Sequence, residues 1–141
     1  RQGINTRFGE YGGGLDPAEF PPDENVQENI NYQQYLDAQQ AIDANRNPAG
    51  GTFQSPSRGV PQRGRRVVLI PIIRESEFNE GRDTVRIDRF AAFFLQTKVD
   101  GGNGGDIKAE YIGLRTVVGR GGYDPSGGAT SPELTIPVLY R

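Results

Sequence analysis

Apolar positions are concentrated in two blocks of an otherwise polar chain. Residues 65–76 read RRVVLIPIIRES, and residues 84–99 read TVRIDRFAAFFLQTKV. Val67, Val68, Leu69, Ile70, Ile72 and Ile73 are too rich in β-branched side chains for a helix. An unbroken apolar run of this kind predicts a strand covered on both faces. Pro71 has no amide to donate, which places that strand at a sheet edge, at a bulge or at a switch between sheets. Thr84 to Ile87 alternates with charge at Arg86 and Asp88. Further on, Phe90, Ala92 and Phe94 fall on one face of a strand and Ala91, Phe93 and Leu95 on the other. A helix over 90–96 is the rival, because Ala and Leu favour helices; the turns on either side favour a hairpin strand. Asn79, Gly81 and Asp83 make the segment between the blocks a turn. The core is therefore predicted on Val68, Ile70, Ile72, Phe90, Phe93, Phe94 and Leu95.

Weaker patterns fill in the rest. Ile107, Ala109 and Tyr111 alternate with Lys108 and Glu110, the signature of a half-buried strand. Leu114, Thr116 and Val118 continue it past a bend at Gly113, residues 119–133 read as a long loop, and LTIPVLY over 134–140 as a last strand. One helix is predicted over 31–44. Tyr32, Tyr35, Leu36, Gln39 and Ile42 share a face there, and Gln34 stands three residues after Asn31 as a capping-box partner. Residues 1–30, with GGG at 12–14 and Pro21-Pro22, cannot form helix or central strand. Residues 45–64 are linker-like, with Phe53 as their one large anchor. The expected fold is mainly β: a small antiparallel β-sandwich or barrel with one short helix and long Gly/Pro-rich loops. A loop-rich region 1–64 is expected to wrap a β domain 65–141, the two together forming one globular unit.

Composition narrows the function. Sixteen basic and 18 acidic residues give a net charge of −2, and they are interspersed, so no basic stripe exists to neutralise a nucleic-acid backbone. Arg63, Arg65 and Arg66 form the one local basic cluster and are expected to flank the exposed start of the first strand. The chain has no His and no Cys. That removes the commonest general base, the thiolate nucleophile and the main transition-metal ligands together, and the chain is read as non-enzymatic. No run of about 18 apolar residues is present to span a bilayer. The start at Arg1 rather than Met suggests a processed segment, with any signal or anchor upstream.

Two stretches invite a binding role. GGNGGD over 101–106 matches half of a calcium-binding nonapeptide, but Lys108 stands where that repeat needs a large apolar residue, and one copy replaces a tandem stack. A hard-cation site on Asp100, Asn103 and Asp106 is the chemical option and a plain turn the simpler reading; no other cofactor is expected. In the N-terminal region, ordering each residue costs roughly 1–2 kcal/mol, which Ile4, Phe8, Tyr11, Leu15 and Phe20 must offset by being covered. A neighbouring subunit is expected to cover them, making these the predicted interaction residues.

The pattern RRVVxIPII…GRxTVxIxRFAAFFL resembles the C-terminal region of TadE/TadG-like proteins, which are associated with tight-adherence (Flp) pilus assembly in bacteria. RQGINTRFGEY at the start, FPPDENV over 20–26 and NYQQYL over 31–36 resemble the segment that precedes it. The resemblance spans most of the chain and rests on core and turn residues. It implies an extracytoplasmic structural or assembly component of a bacterial cell-surface system, partnered by other subunits and self-assembling into an oligomer or filament. The alternative is an extracellular carbohydrate- or surface-binding β module, with Tyr11, Tyr111, Tyr123 or Tyr140 stacked on sugar.

Overall fold

The computed structural model describes residues 1–73, 84–87, 89–101, 105–118, 122–124 and 134–137. In chain order these form helix α1 (Gln2–Asn5), a 3-10 turn (Thr6–Phe8), helix α2 (Tyr32–Asp43), a second 3-10 turn (Ala49–Gly51), and strands β1 (Val67–Ile72), β2 (Thr84–Ile87), β3 (Arg89–Leu95), β4 (Ala109–Val118), β5 (Gly122–Asp124) and β6 (Leu134–Pro137). One sheet has the order β1-β3-β4-β5, and β2 pairs with β6 in a second. The fold is small and β-rich with little helix, and its main sheet is open, with β1 and β5 as edges. The β2–β6 pair is antiparallel, with Thr84 opposite Pro137 and Ile87 opposite Leu134. β5 falls inside the span read as loop. It runs antiparallel to β4, with Gly122 opposite Val118 and Asp124 opposite Thr116. The predicted turn at Asn79, Gly81 and Asp83, and residues 138–140 of the last strand, lie outside the described residues.

The chain forms two compact units, Arg1–Val68 with Phe94–Glu110, and Leu69–Phe93 with Tyr111–Arg141. Phe94–Glu110, downstream of the 64/65 boundary, thus belongs with the N-terminal region.

In the first unit the core cluster is Phe8, Val26 and Leu95, with Ile4 and Val68 packed against it. The N-terminal segment is tied down by main-chain bonds from Asp23 N to Arg7 O (2.8 Å), Gln62 N to Pro22 O (2.9 Å) and Val26 N to Gln54 O (2.8 Å). Gly59 lies at φ +79°, and a Cβ there would stand 2.9 Å from Pro22 Cδ and 3.1 Å from Pro17 Cβ, so only glycine allows the 45–64 segment to close on the proline turn. Of the anchors in residues 1–30, Phe8 and Val26 are thus buried within their own unit, with Ile4 packed against them. α2 begins at Asn31, which accepts from Gln34 N while the Gln34 side chain accepts from Asn31 N, the capping box read from the sequence. Its Tyr35 packs on Phe94, with ring centroids 5.0 Å apart.

In the second unit Ile87, Ala91 and Ala92 are buried. The expectation of a doubly covered first strand is corrected here: Ile70 is 50% and Ile72 38% exposed, and Leu69 is exposed as well. Among the described residues β1 is an edge strand with a hydrogen-bonded neighbour on one side only, and from Leu69 onward its apolar side chains are surface. Phe90 and Phe93 are half-buried, while Phe94 and Leu95, in the first unit, are fully buried. The 107–111 alternation does not hold, Lys108 being exposed like its apolar neighbours. Ile107, Ala109 and Tyr111 are exposed and Glu110 turns inward, because its Oε2 accepts the Tyr32 N–H at 2.7 Å. A carboxylate satisfies one of the orphan donors at the start of α2 and is favoured by the helix dipole.

Candidate functional site

Arg66 was expected at an exposed strand start and is instead completely buried. Its guanidinium donates to main-chain carbonyls from three directions: Nε to Leu95 O (2.9 Å), and Nη1 to Asn25 O (2.9 Å) and Gln27 O (2.8 Å). Aromatic faces close around it, with its central carbon 4.4 Å from the Phe94 ring centroid and 4.7 Å from that of Phe8. Burial pushes its pKa down to about 10, against the opposing pull of Asp23, Tyr35 and Glu28, so the group stays cationic at neutral pH. Asp23, equally buried, accepts from Arg66 N (3.0 Å), Asn25 N (2.9 Å) and Tyr35 Oη (3.0 Å). Desolvation raises its pKa, partly opposed by those hydrogen bonds. Burial and the nearby Asp23 carboxylate also raise the Tyr35 pKa, which keeps the phenol protonated as donor. Perturbed titratable groups can mark chemistry. Here each is sealed by its own partners, and the cluster holds the first unit together.

The five named interaction residues separate. Phe8 is buried and Ile4 packs on the same cluster. Tyr11 is half-buried, donates to Phe20 O at 2.9 Å, and has the Arg58 guanidinium 5.4 Å from its ring centroid. Leu15 is half-buried and Phe20 exposed. The cation candidates Asp100 and Asp106 line one polar depression of about 370 Å³, together with Glu28, Lys98 and Lys108; Asn103 lies outside the described residues. Lys98 already sits 3.2 Å from Glu10 and 3.3 Å from Glu28, so an ammonium occupies the place of a cation beside Glu28. Among the described residues no three acidic, His or Cys side chains converge. A Cβ at Gly105 would meet Asp100 O and Val99 Cγ1, both at 2.9 Å, so the backbone at Gly105 packs closely on Val99 and Asp100.

Large apolar side chains are exposed on the strands of the second unit: Leu69, Ile70 and Ile72 on β1, and Tyr111 and Leu114 on β4. Tyr111, 55% exposed, packs edge-on against Phe93 with centroids 5.6 Å apart. Of the tyrosines considered as sugar platforms, Tyr11 has one face occupied by Arg58, and Tyr140 lies outside the described residues. Singly exposed apolar residues are ordinary on a protein surface. Among the described residues no helix is long and apolar enough to cross a membrane. No family model, curated protein or solved structure matches the chain.

Proposed function

We propose that this chain is a non-catalytic, extracytoplasmic assembly component of a bacterial cell-envelope system of the pilus type, as its resemblance to TadE/TadG-like proteins suggests, acting through contacts with other protein subunits, copies of itself included. The observation that carries the reading is β1: an edge strand with Leu69, Ile70 and Ile72 exposed. An unpaired edge offers main-chain donors and acceptors to an added strand, and alternate side chains supply the specificity. Pro71 limits the donors on that strand and so restricts the registers a partner can take. In this reading the open sheet completes the closed sandwich or barrel only with a second subunit, and no cofactor takes part. Sedimentation of the purified chain over a range of concentrations, with electron microscopy of the heaviest species, tests it. Concentration-dependent association into discrete rings or fibres is expected; a monomer at every concentration contradicts self-assembly.

A further inference from the structure

Gln39 lies on the inner face of α2 at 4% exposure, and neither its Oε1 nor its Nε2 has a hydrogen-bond partner. It lines a groove of about 360 Å³ whose other walls include Tyr32, Tyr35, Leu36, Gly64 and Val67. Most of that surface is apolar, and Leu36 is exposed. A donor and an acceptor left unpaired inside apolar walls are costly, and such groups in native proteins call for an explanation.

The chain's other buried carboxamides show what it does with such a group. Asn5 donates from Nδ2 to Val99 O at 3.0 Å and accepts at Oδ1 from Val99 N at 2.8 Å. Asn25 donates to Thr52 O at 2.8 Å and accepts from Gln54 N at 3.1 Å. Each carboxamide stands in for a neighbouring strand and satisfies both a C=O and an N–H of passing main chain. Of the three buried carboxamides among the described residues, Gln39 is the one with no main chain against it.

We propose that this groove is a docking site for an extended peptide segment of another protein chain. The main-chain N–H and C=O of that segment pair with the Gln39 carboxamide, and one of its apolar side chains lies against Leu36 and Val67. Neither polar atom of Gln39 reaches solvent in the free chain, so the amide turns outward as the segment seats. The volume, at the small end of ligand sites, suits a few residues and not a folded partner. This inference goes beyond the assembly reading and fails separately from it, since the groove's lining belongs to the first unit and the apolar edge of β1 to the second.

The test is a titration of the ¹⁵N-labelled chain, followed at the main-chain amides of Leu36, Gly64 and Val67 in every variant and at the Gln39 side-chain amide in wild type, with the blocked tripeptide acetyl-Ala-Leu-Ala-amide and separately with N-acetylglucosamine, each up to millimolar concentration. The expected result is a saturable shift with the tripeptide, severalfold weaker in Leu36→Asp and lost in Gln39→Met. Gln39→Met is near-isosteric and removes both unpaired groups, so it is also expected to raise Tm by about 2–4 °C. No saturable shift with the tripeptide, or a response to the sugar alone, overturns the proposal. So does a lower Tm in Gln39→Met, because the amide would then have structural partners of its own.

Discussion

Arg66 leaves water completely, and what replaces its hydration is a set of fixed carbonyl oxygens and two aromatic faces. The planar fork of an arginine reaches several acceptors at once, which a lysine cannot do. Arg66→Met keeps most of the length and strands those carbonyls in the interior. At about 1–3 kcal/mol for each unsatisfied buried group, it is expected to cost at least about 3 kcal/mol in urea unfolding; a loss under about 1 kcal/mol would show that the bonds add little. Asp23 gives a prediction with a definite sign. Its folded-state pKa is raised, chiefly by burial, so between the ordinary aspartate value of about 3.9 and the raised one the native state holds more protons than the unfolded state. Stability contributed by this group therefore falls as pH rises through that window. Melting of Asp23→Asn should match wild type most closely in acid and improve relative to it as pH rises. A relative gain by wild type over the same range would mean that the hydrogen bonds to the charged carboxylate outweigh desolvation. Little of this was legible: Arg66 stands just before β1, and parity with Val68 is no guide to its burial, since Ile70 and Ile72 share that parity and are exposed. The partner Asp23, 43 positions away, had no local signature.

At the scale of elements, α2 was readable because two independent local signals agree, the face of Tyr32, Tyr35 and Gln39 and the Asn31–Gln34 box. β3 was readable because its apolar residues occupy both parities and a short strand can bury both. Phe94 is the hinge of that packing, buried between Tyr32 (centroids 5.4 Å apart), Tyr35 and the Arg66 guanidinium. Phe94→Ala is expected to cost about 3–5 kcal/mol, measured by denaturant unfolding, and a melting curve like that of wild type would contradict the packing described. β1 and β4 show where pattern reading fails. Apolarity in β1 was taken as burial on both faces, although Pro71 offered an edge as one of its readings. In β4 the inward residue is Glu110, since the start of a helix 78 positions earlier in sequence needs an acceptor. β5 escaped because Gly-Tyr-Asp has no strand pattern of its own, and pairing with β4 alone makes it one.

For the molecule as a whole, the largest change from the sequence reading concerns the first 30 residues. Glycine and proline keep most of this segment irregular, but the expectation that it could form no helix is corrected: Gln2–Asn5 is helical and Thr6–Phe8 a 3-10 turn, upstream of the first Gly-Gly-Gly and Pro-Pro breakers. Yet Phe8, Val26, Asp23 and Asn25 are buried in the same unit as Leu95 and Arg66, so irregular backbone is held by side-chain and main-chain bonds that composition does not reveal. Deleting residues 1–26 removes Asp23, Asn25 and two of the three buried members of the core cluster, Phe8 and Val26. It is expected to abolish cooperative melting of the first unit, and a folded, soluble remainder would contradict that packing. In the proposed reading, assembly runs through the exposed apolar edge of β1. Light scattering of wild type beside the double variant Ile70→Lys, Ile72→Lys tests this most directly, because charge on an edge strand blocks pairing with another chain while both positions are exposed. The account predicts a wild-type mass that rises with concentration and a variant that stays monomeric with unchanged melting. A monomeric wild type, or a variant that associates as wild type does, would contradict it.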